Sequence, residues 1–144
     1  MAHIRIIDES VAVAPQILPE DLPNIAAQGY KAVVNNRPDG EEAGQPPADA
    51  IREAAEAAGL AYHAIPVTHA GFSHAQVAAM AEAIDAAGGP VLAFCRSGTR
   101  SANLWALAAA SRGATPDEVT GKAAGAGYDL TGLRPMLDGV HRPG

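Results

Sequence analysis

The sequence predicts an α/β fold in which a mostly parallel central sheet is flanked by helices on both faces. Short apolar runs typical of buried strands alternate with longer helix-forming stretches along the whole chain. Glycine and proline separate these runs, and no internal repeat or long linker divides the chain. We therefore expect the 144 residues to form one domain, residues 1–144.

The predicted strands are apolar runs bounded by turn residues. They cover residues 4–7, 11–14, 31–34, 60–67 and 90–94. The first two flank the polar segment 8–10, and we expect them to form a hairpin or an edge pair at one side of the sheet.

The predicted helices begin at capping residues and end at glycine. Ser73 and Gln76 form a capping box, and Thr115 followed by Pro116 marks another helix start. Helices are predicted over residues 19–29, 48–58, 74–87, 99–112, from 115 onward, and 130–137.

Composition excludes several classes of function. The net charge of −6 gives no support for a nucleic-acid surface, and no apolar run is long enough to cross a membrane. One cysteine permits no internal disulfide, the first residues lack the layout of a signal peptide, and we expect a cytoplasmic protein. The histidines show no metal-ligand spacing, so we expect neither a metal nor a cofactor.

The single cysteine, Cys95, lies between the last predicted strand and a helix, in the segment Cys-Arg-Ser-Gly-Thr-Arg-Ser. In such a loop the backbone N–H groups and the positive end of the helix dipole favour the reactive thiolate. Arg100 can clamp an oxyanion with its planar guanidinium. A lone cysteine is more often a buried apolar residue, but these polar neighbours indicate an electropositive, partly exposed setting.

Three loops are expected to share one crevice, because sites in open parallel sheets form beyond the carboxyl ends of the strands. These loops follow Val34, Val67 and Phe94. The first carries a polar segment at residues 35–42, and the second contains His69.

Two segments resemble the beta-lactamase hydrolase-like family, in its phosphatase-like domain. They are Val-Asn-Asn-Arg-Pro-Asp-Gly-Glu-Glu at residues 34–42 and the stretch 90–107 around Cys95; residues 126–130 and 133–135 are also similar. The resemblance implies the fold of the cysteine-dependent dual-specificity phosphatases. Members of the family are described both as phosphatases and as sulfur transferases.

The chain departs from the pattern of the cysteine phosphatases in two ways. Four residues, not five, separate Cys95 from Arg100, which narrows the ring of N–H donors. The loop after Val67 also lacks the aspartic acid that usually protonates the leaving group. Sulfur transfer has less need of such an acid, because a thiolate leaves readily at neutral pH.

The first functional expectation is therefore a sulfurtransferase that carries sulfane sulfur as a persulfide on Cys95. Its partners would be a small-molecule sulfur donor and a thiol acceptor, and the family's longer members suggest a separate persulfide-processing, metal-dependent hydrolase-like enzyme. The alternative is a phosphatase that takes a phosphoryl substrate and forms phosphocysteine on Cys95. A non-catalytic anion-binding module is the third hypothesis.

The remaining site assignments divide between the Cys95 loop and the other two loops. Cys95 and Arg100 are the expected catalytic residues, and Ser101 is also expected to hydrogen-bond the thiolate. The expected substrate-binding or anion-binding residues are Arg96, Ser97, Gly98, Thr99 and Ser101.

His69, Asp39 and Glu41 are candidate acids, although solvated surface positions are the preferred interpretation of all three. Arg37 is expected either to organise its own loop, which is the favoured role, or to extend the anion site.

Overall fold

Five strands form one sheet in the computed structural model, which describes residues 3–68 and 70–141. The strands are β1 (Arg5–Ile6), β2 (Val11–Ala14), β3 (Ala32–Asn35), β4 (Ala61–Ala64) and β5 (Val91–Phe94). Their order across the sheet is β1-β2-β5-β3-β4. Only β1 runs antiparallel to its neighbour, and it pairs with β2 at one edge of the sheet, in agreement with the predicted hairpin or edge pair. The mostly parallel sheet of the prediction is confirmed.

Two apolar cores lie on opposite faces of this sheet, because successive side chains of a strand point to opposite sides. Val91 and Ala93 of β5 enter one core, whereas Leu92 and Phe94 enter the other. All four residues of β5 are buried. The strand that leads to the cysteine is therefore covered on both faces, as are β2 and β3.

Helices cover both faces, as predicted. They are α1 (Leu22–Ala27), α2 (Ala48–Ala57), α3 (His74–Ala86), α4 (Thr99–Ser111), α5 (Pro116–Gly125) and α6 (Arg134–Val140). Helices α1 and α2 pack on the face of Leu92, and α3 to α6 pack on the face of Val91. The predicted capping boxes at Ser73 and Thr115 are present.

Proline accounts for the main differences between the predicted and observed elements. The first and last helices each begin with a short 3-10 turn, Pro19–Asp21 and Thr131–Leu133, followed by an α-helix with proline in its first turn. Strand β4 ends at Ala64, shortly before Pro66, which has no N–H group for the ladder. Beyond Ala64, the N–H of Ile65 still bonds to the carbonyl of Asn35 at the end of β3, and the N–H of Val67 bonds to the carbonyl of Asn36.

The sheet positions the site by ending β3 and β5 side by side. Asn35 of β3 is in register with Phe94 of β5, so the residues that follow them leave the sheet at the same edge. Among the described helices, none is both long and apolar enough to cross a bilayer.

We expect Leu92→Ala to lower the free energy of unfolding by about 2–5 kcal/mol, because the side chain is fully buried and its removal leaves a cavity. Urea denaturation monitored by circular dichroism measures this change. Met136→Ala is the matched control, since Met136 is 41% exposed and its loss costs about 0.5 kcal/mol or less. Equal losses in the two variants would contradict the assigned core.

Candidate active site

Cys95 lies at the base of the loop between β5 and α4. Its N–H donates to the carbonyl of Ala14 at 3.3 Å, which extends the pairing of β5 with β2 by one residue. Its Sγ accepts a hydrogen bond from the N–H of Gly98 at 3.1 Å. The expectation of partial exposure is wrong, because Cys95 has no exposed surface and the polar residues Arg96 and Ser97 lie outside it. A substrate therefore reaches the sulfur only when the groups that cover it move.

Gly98 turns the chain from this loop into α4. Its φ of +92° lies in the left-handed region, which glycine adopts without strain. The turn brings the N-terminus of α4, a helix of 13 residues, next to the sulfur. The Gly98 N–H and the positive end of the helix dipole both favour a negative charge on Cys95.

Arg100 is held at one edge of its guanidinium. Nη1 donates to Glu41 Oε2 and to the carbonyl of Val67, both at 2.7 Å, and Nη2 donates to Glu41 Oε1 at 2.8 Å. Five N–H bonds are available on a guanidinium. These contacts engage three of them and leave the Nε–H and one Nη2–H on the other edge, the pair of donors that a tetrahedral anion needs.

The charge of Cys95 also acts on Arg100. The pKa of Arg100 is raised above its usual range, chiefly by the hydrogen bonds to Glu41 and in smaller part by the negative charge of Cys95. The guanidinium therefore lies near enough to the sulfur to interact with it.

Glu41 is an ionised carboxylate between two arginines. Besides its two bonds to Arg100, it accepts from Nε of Arg37 at 2.9 Å. Hydrogen bonds from Arg100, with a smaller contribution from Arg37, lower the pKa of Glu41 to about 2. Glu41 lies in an exposed bend, as expected, but two arginines bind its carboxylate, and its low pKa makes it a poor proton donor at neutral pH.

Arg37 organises the loop that carries Glu41. Its side chain is almost completely buried and donates to Gln16 at 3.1 Å and to Glu42 at 3.0 Å, in addition to Glu41. The backbone N–H of Arg37 donates to Asn35 Oδ1. With these contacts Arg37 fixes the position of Glu41, and Glu41 in turn fixes Arg100.

A buried chain of polar contacts connects α4 with the residue after β3 and the segment after β4. Ser101 Oγ donates to Asn36 Oδ1 at 2.8 Å, and Asn36 Nδ2 donates to the carbonyl of Ile65 at 2.9 Å. Ser101 and Asn36 are both fully buried. The single hydroxyl proton of Ser101 is thus directed to Asn36 in this structure and away from Cys95, where the sequence analysis expected it.

The other predicted residues of the Cys95 loop lie at its outer surface. The Ser97 hydroxyl donates to Thr99 Oγ1 at 3.1 Å, and both residues are exposed. The Arg96 side chain is 68% exposed, with Nη2 3.6 Å from Glu42 Oε2. These side chains line the approach to the loop and do not contact the sulfur through any hydrogen bond within the described part of the chain.

The two remaining candidate acids have different outcomes. Asp39 accepts a hydrogen bond from the N–H of Ala48 at 2.8 Å, so its carboxylate caps the start of α2. His69 lies outside the described residues, and its role stays a prediction. Over residues 3–68 and 70–141, no three His, Cys, Asp or Glu side chains come together in a group that could hold a metal ion.

Sequence reasoning missed Asn36 and Tyr128 as parts of the site. The signal for Asn36 was present, because a polar residue directly after a buried strand has to find a buried partner. Tyr128 donates from its hydroxyl to the carbonyl of Ser97 at 3.3 Å. Its segment was noted only for its family resemblance, and nothing local to Tyr128 indicated this contact.

Comparison with known protein families gives one clear match. The family model described as "Beta-lactamase hydrolase-like protein, phosphatase-like domain" matches residues 3–112. A protein named beta-lactamase hydrolase-like protein from Xylella fastidiosa is 40% identical over 130 residues, covering 88% of this chain and 30% of its own. One of the same name from Agrobacterium fabrum is 41% identical over 113 residues, covering 78% of this chain and 26% of its own. The chain thus spans about a third or less of the length of these relatives.

Solved structures similar to this one include several cysteine-dependent phosphatases. A candidate phosphatase from Neisseria meningitidis is 37% identical with a TM-score of 0.82, covering 96% of this chain and 98% of its own. Tk-PTP in its active form, at 21% identity, has a TM-score of 0.73 and covers 95% of each chain. The kinase associated phosphatase, at 14% identity, has a TM-score of 0.71 and covers 97% of this chain and 92% of its own. The last two establish a shared fold.

We expect the stability of the protein to fall as pH decreases through the range in which Glu41 takes up a proton. The pKa of Glu41 is lowered from 4.5 to about 2 by Arg100 and Arg37. The stabilisation that the ionised Glu41 carboxylate gives the folded protein is therefore complete above pH 4.5. It is lost as pH falls toward 2, where the folded protein also protonates the carboxylate. Urea denaturation at a series of pH values between these limits measures the loss.

Glu41→Gln is expected to flatten this part of the stability profile. Glu53→Gln, at an exposed position on α2, is the control and should keep the wild-type slope. The same slope in wild type and Glu41→Gln would show that the ion pair with Arg100 does not form in solution.

Proposed function

Because the chain belongs to the beta-lactamase hydrolase-like family and carries its phosphatase-like domain, we propose that it is a cysteine-dependent phosphatase with Cys95 as nucleophile. The observation that carries this proposal is the hydrogen bond from the Gly98 N–H to Cys95 Sγ at the start of α4. The phosphatase folds among the similar structures favour this reaction over the sulfur transfer that the sequence analysis placed first.

In the proposed reaction the Cys95 thiolate attacks the phosphorus of a phosphate monoester. A sulfur–phosphorus bond forms, and the ester P–O bond breaks with its electron pair on the leaving oxygen, which takes up a proton. The Nε–H and Nη2–H of Arg100 and the loop amides stabilise the charge on the phosphoryl oxygens. Water then attacks phosphocysteine, which restores the thiolate and releases inorganic phosphate.

The proton for the leaving oxygen needs a donor other than Glu41 and Asp39. Glu41 is ionised at neutral pH, and Asp39 is bound to the start of α2. Of the acids that the sequence analysis named, His69 remains the candidate. Substrates with acidic leaving groups, such as aryl phosphates, need this proton least and are the first to assay.

Sulfur transfer is the second candidate function, and the narrow loop favours it. Only four residues separate Cys95 from Arg100, and a loop one residue shorter than that of the cysteine phosphatases offers a narrower ring of N–H donors, which a single sulfur atom needs less than a phosphoryl group does. In this reaction Sγ attacks the outer sulfur of a donor, and the bond from that sulfur to the rest of the donor breaks with its electrons on the departing group. Because the chain has one cysteine, an external thiol would take the sulfur from the persulfide.

One experiment distinguishes these functions by what becomes attached to Cys95. The protein is incubated separately with p-nitrophenyl phosphate and with thiosulfate or glutathione persulfide, and its intact mass is measured after rapid quenching. We expect nitrophenol release and a transient mass increase of one phosphoryl group. Cys95→Ser should reduce the release at least about a thousand-fold, because it removes the nucleophile.

Ser111→Ala, at the far end of α4, is the control and should keep wild-type turnover. The addition of a single sulfur atom without nitrophenol release would replace the phosphatase proposal with sulfur transfer. Phosphate binding that Cys95→Ser leaves intact, with no turnover of any of these substrates by the wild type, would identify a non-catalytic anion-binding module.

A further inference from the structure

The peptide group between Ser97 and Gly98 has a partner at each end. Its N–H, on Gly98, donates to Cys95 Sγ at 3.1 Å. Its C=O, on Ser97, accepts from the hydroxyl of Tyr128 at 3.3 Å. Because the N–H and C=O of a trans peptide point in opposite directions, a partner that fixes the carbonyl also fixes the direction of the amide.

Tyr128 occupies the space next to this peptide. A Cβ atom on Gly98 would overlap the Tyr128 hydroxyl. The absence of a side chain at position 98 therefore leaves room for the tyrosine. Glycine at position 98 also gives the peptide rotational freedom, since both signs of φ are accessible to it. A loop of this kind needs an external contact to keep one orientation.

The tyrosine ring is itself held in place from the edge of the sheet. The guanidinium of Arg5, on β1, lies over the ring at 5.7 Å from its centre. Arg5 Nη1 also donates to the carbonyl of Ala126 at 3.2 Å, two residues before the tyrosine. Tyr128 is largely buried at 9% exposure, and the contacts of Arg5 restrain its segment from outside the Cys95 loop.

We propose that Tyr128 is a positioning residue that holds the 97–98 peptide with its amide toward Cys95 and so stabilises the thiolate. The proposal rests on the proposed function in that it takes Cys95 as the nucleophile, but it applies equally to phosphoryl and sulfur transfer. Tyr128 lies beyond residues 3–112, the part of the chain that the family model matches. Its effect on the sulfur is transmitted through the peptide and requires no contact with substrate.

The charge of Cys95 acts on two groups among the described residues, and neither of them changes its own charge near neutral pH. These are the Arg100 guanidinium on α4 and the Tyr128 hydroxyl after α5. The pKa of Arg100 is raised by Glu41, and the pKa of Tyr128 is raised chiefly by burial. Thiolate formation in the neutral range can therefore be followed without ionisation of either group.

The test compares thiolate formation in the wild type and in Tyr128→Phe, which keeps the ring and removes the hydroxyl. The ultraviolet absorbance of the thiolate is titrated against pH, and the matching Cys95→Ser protein is subtracted in each case. We expect the ionisation equilibrium of Cys95 in Tyr128→Phe to shift roughly two- to five-fold toward the thiol. This is the lower part of the range for the loss of one hydrogen bond, because the 3.3 Å between the Tyr128 hydroxyl and the Ser97 carbonyl is long for an O–H donor.

Tyr30→Phe is the matched control, because Tyr30 precedes β3 at the opposite end of the parallel strands and should leave the titration unchanged. Hydrogen exchange at the Gly98 amide is a second measurement, and we expect it to be faster in Tyr128→Phe than in the wild type. Thermal unfolding verifies that each variant is folded.

An unchanged titration and unchanged Gly98 exchange in folded Tyr128→Phe would overturn the positioning role and leave the proposed function intact. The thiolate absorbance of the wild type near neutral pH is compared with that of Cys95→Ser. If the two are the same, Cys95 is not the ionised nucleophile. In that case both proposals fail. The two failures are thus distinguishable by the wild-type titration alone.

Discussion

Arg100 and Glu41 form a bidentate ion pair between residues 59 positions apart, and the geometry of the site depends on it. The pair connects the first turn of α4 with the loop after β3, and Arg37 supports the carboxylate from behind. A guanidinium on a long side chain loses considerable rotational freedom when it is fixed. Here Glu41 and the Val67 carbonyl supply that restraint before any substrate arrives. The other edge of the Arg100 guanidinium, with its Nε–H and one Nη2–H, is consequently preorganised for an anion.

A second constraint fixes the position of the sulfur. Strand β5 is buried on both faces and holds Cys95 at its end, and the N–H of Gly98, in the turn into α4, donates to the sulfur. Burial alone disfavours a charged thiolate. The amide and the helix N-terminus offset this cost, and the buried contact between Ser101 and Asn36 fixes the start of α4 to the segment after β3. The site thus combines a rigid strand, a rigid helix and one glycine turn.

The sequence was sufficient to predict the alternation of strands and helices, the loop of Cys95 and the edge of the sheet where the site lies. These features follow from local patterns: apolar runs, capping residues and the rule that parallel strands end together. Glu41 was undervalued because its surroundings, Pro38, Gly40 and Glu42, are typical of a solvated turn. Its partner is distant in the sequence, and no local pattern records such a pair.

Tyr128 and the burial of Cys95 were out of reach for the same reason. The contact between Tyr128 and Ser97 spans 31 residues and depends on how α5 returns to the sheet edge. The polar neighbours of Cys95 indicated exposure, yet those side chains point outward and the sulfur lies beneath them. Whether a residue is covered is decided by packing between elements, and the sequence of one loop does not contain that information.

The most direct test of the account is a crystal structure of the protein with tungstate, a stable mimic of a tetrahedral phosphoryl group. We expect the oxyanion above Cys95 Sγ, with oxygens accepting from Nε and Nη2 of Arg100 while Glu41 remains on Nη1 and Nη2. Tungstate that displaces Glu41 from Arg100, or that binds elsewhere and leaves the Cys95 loop empty, would contradict the account.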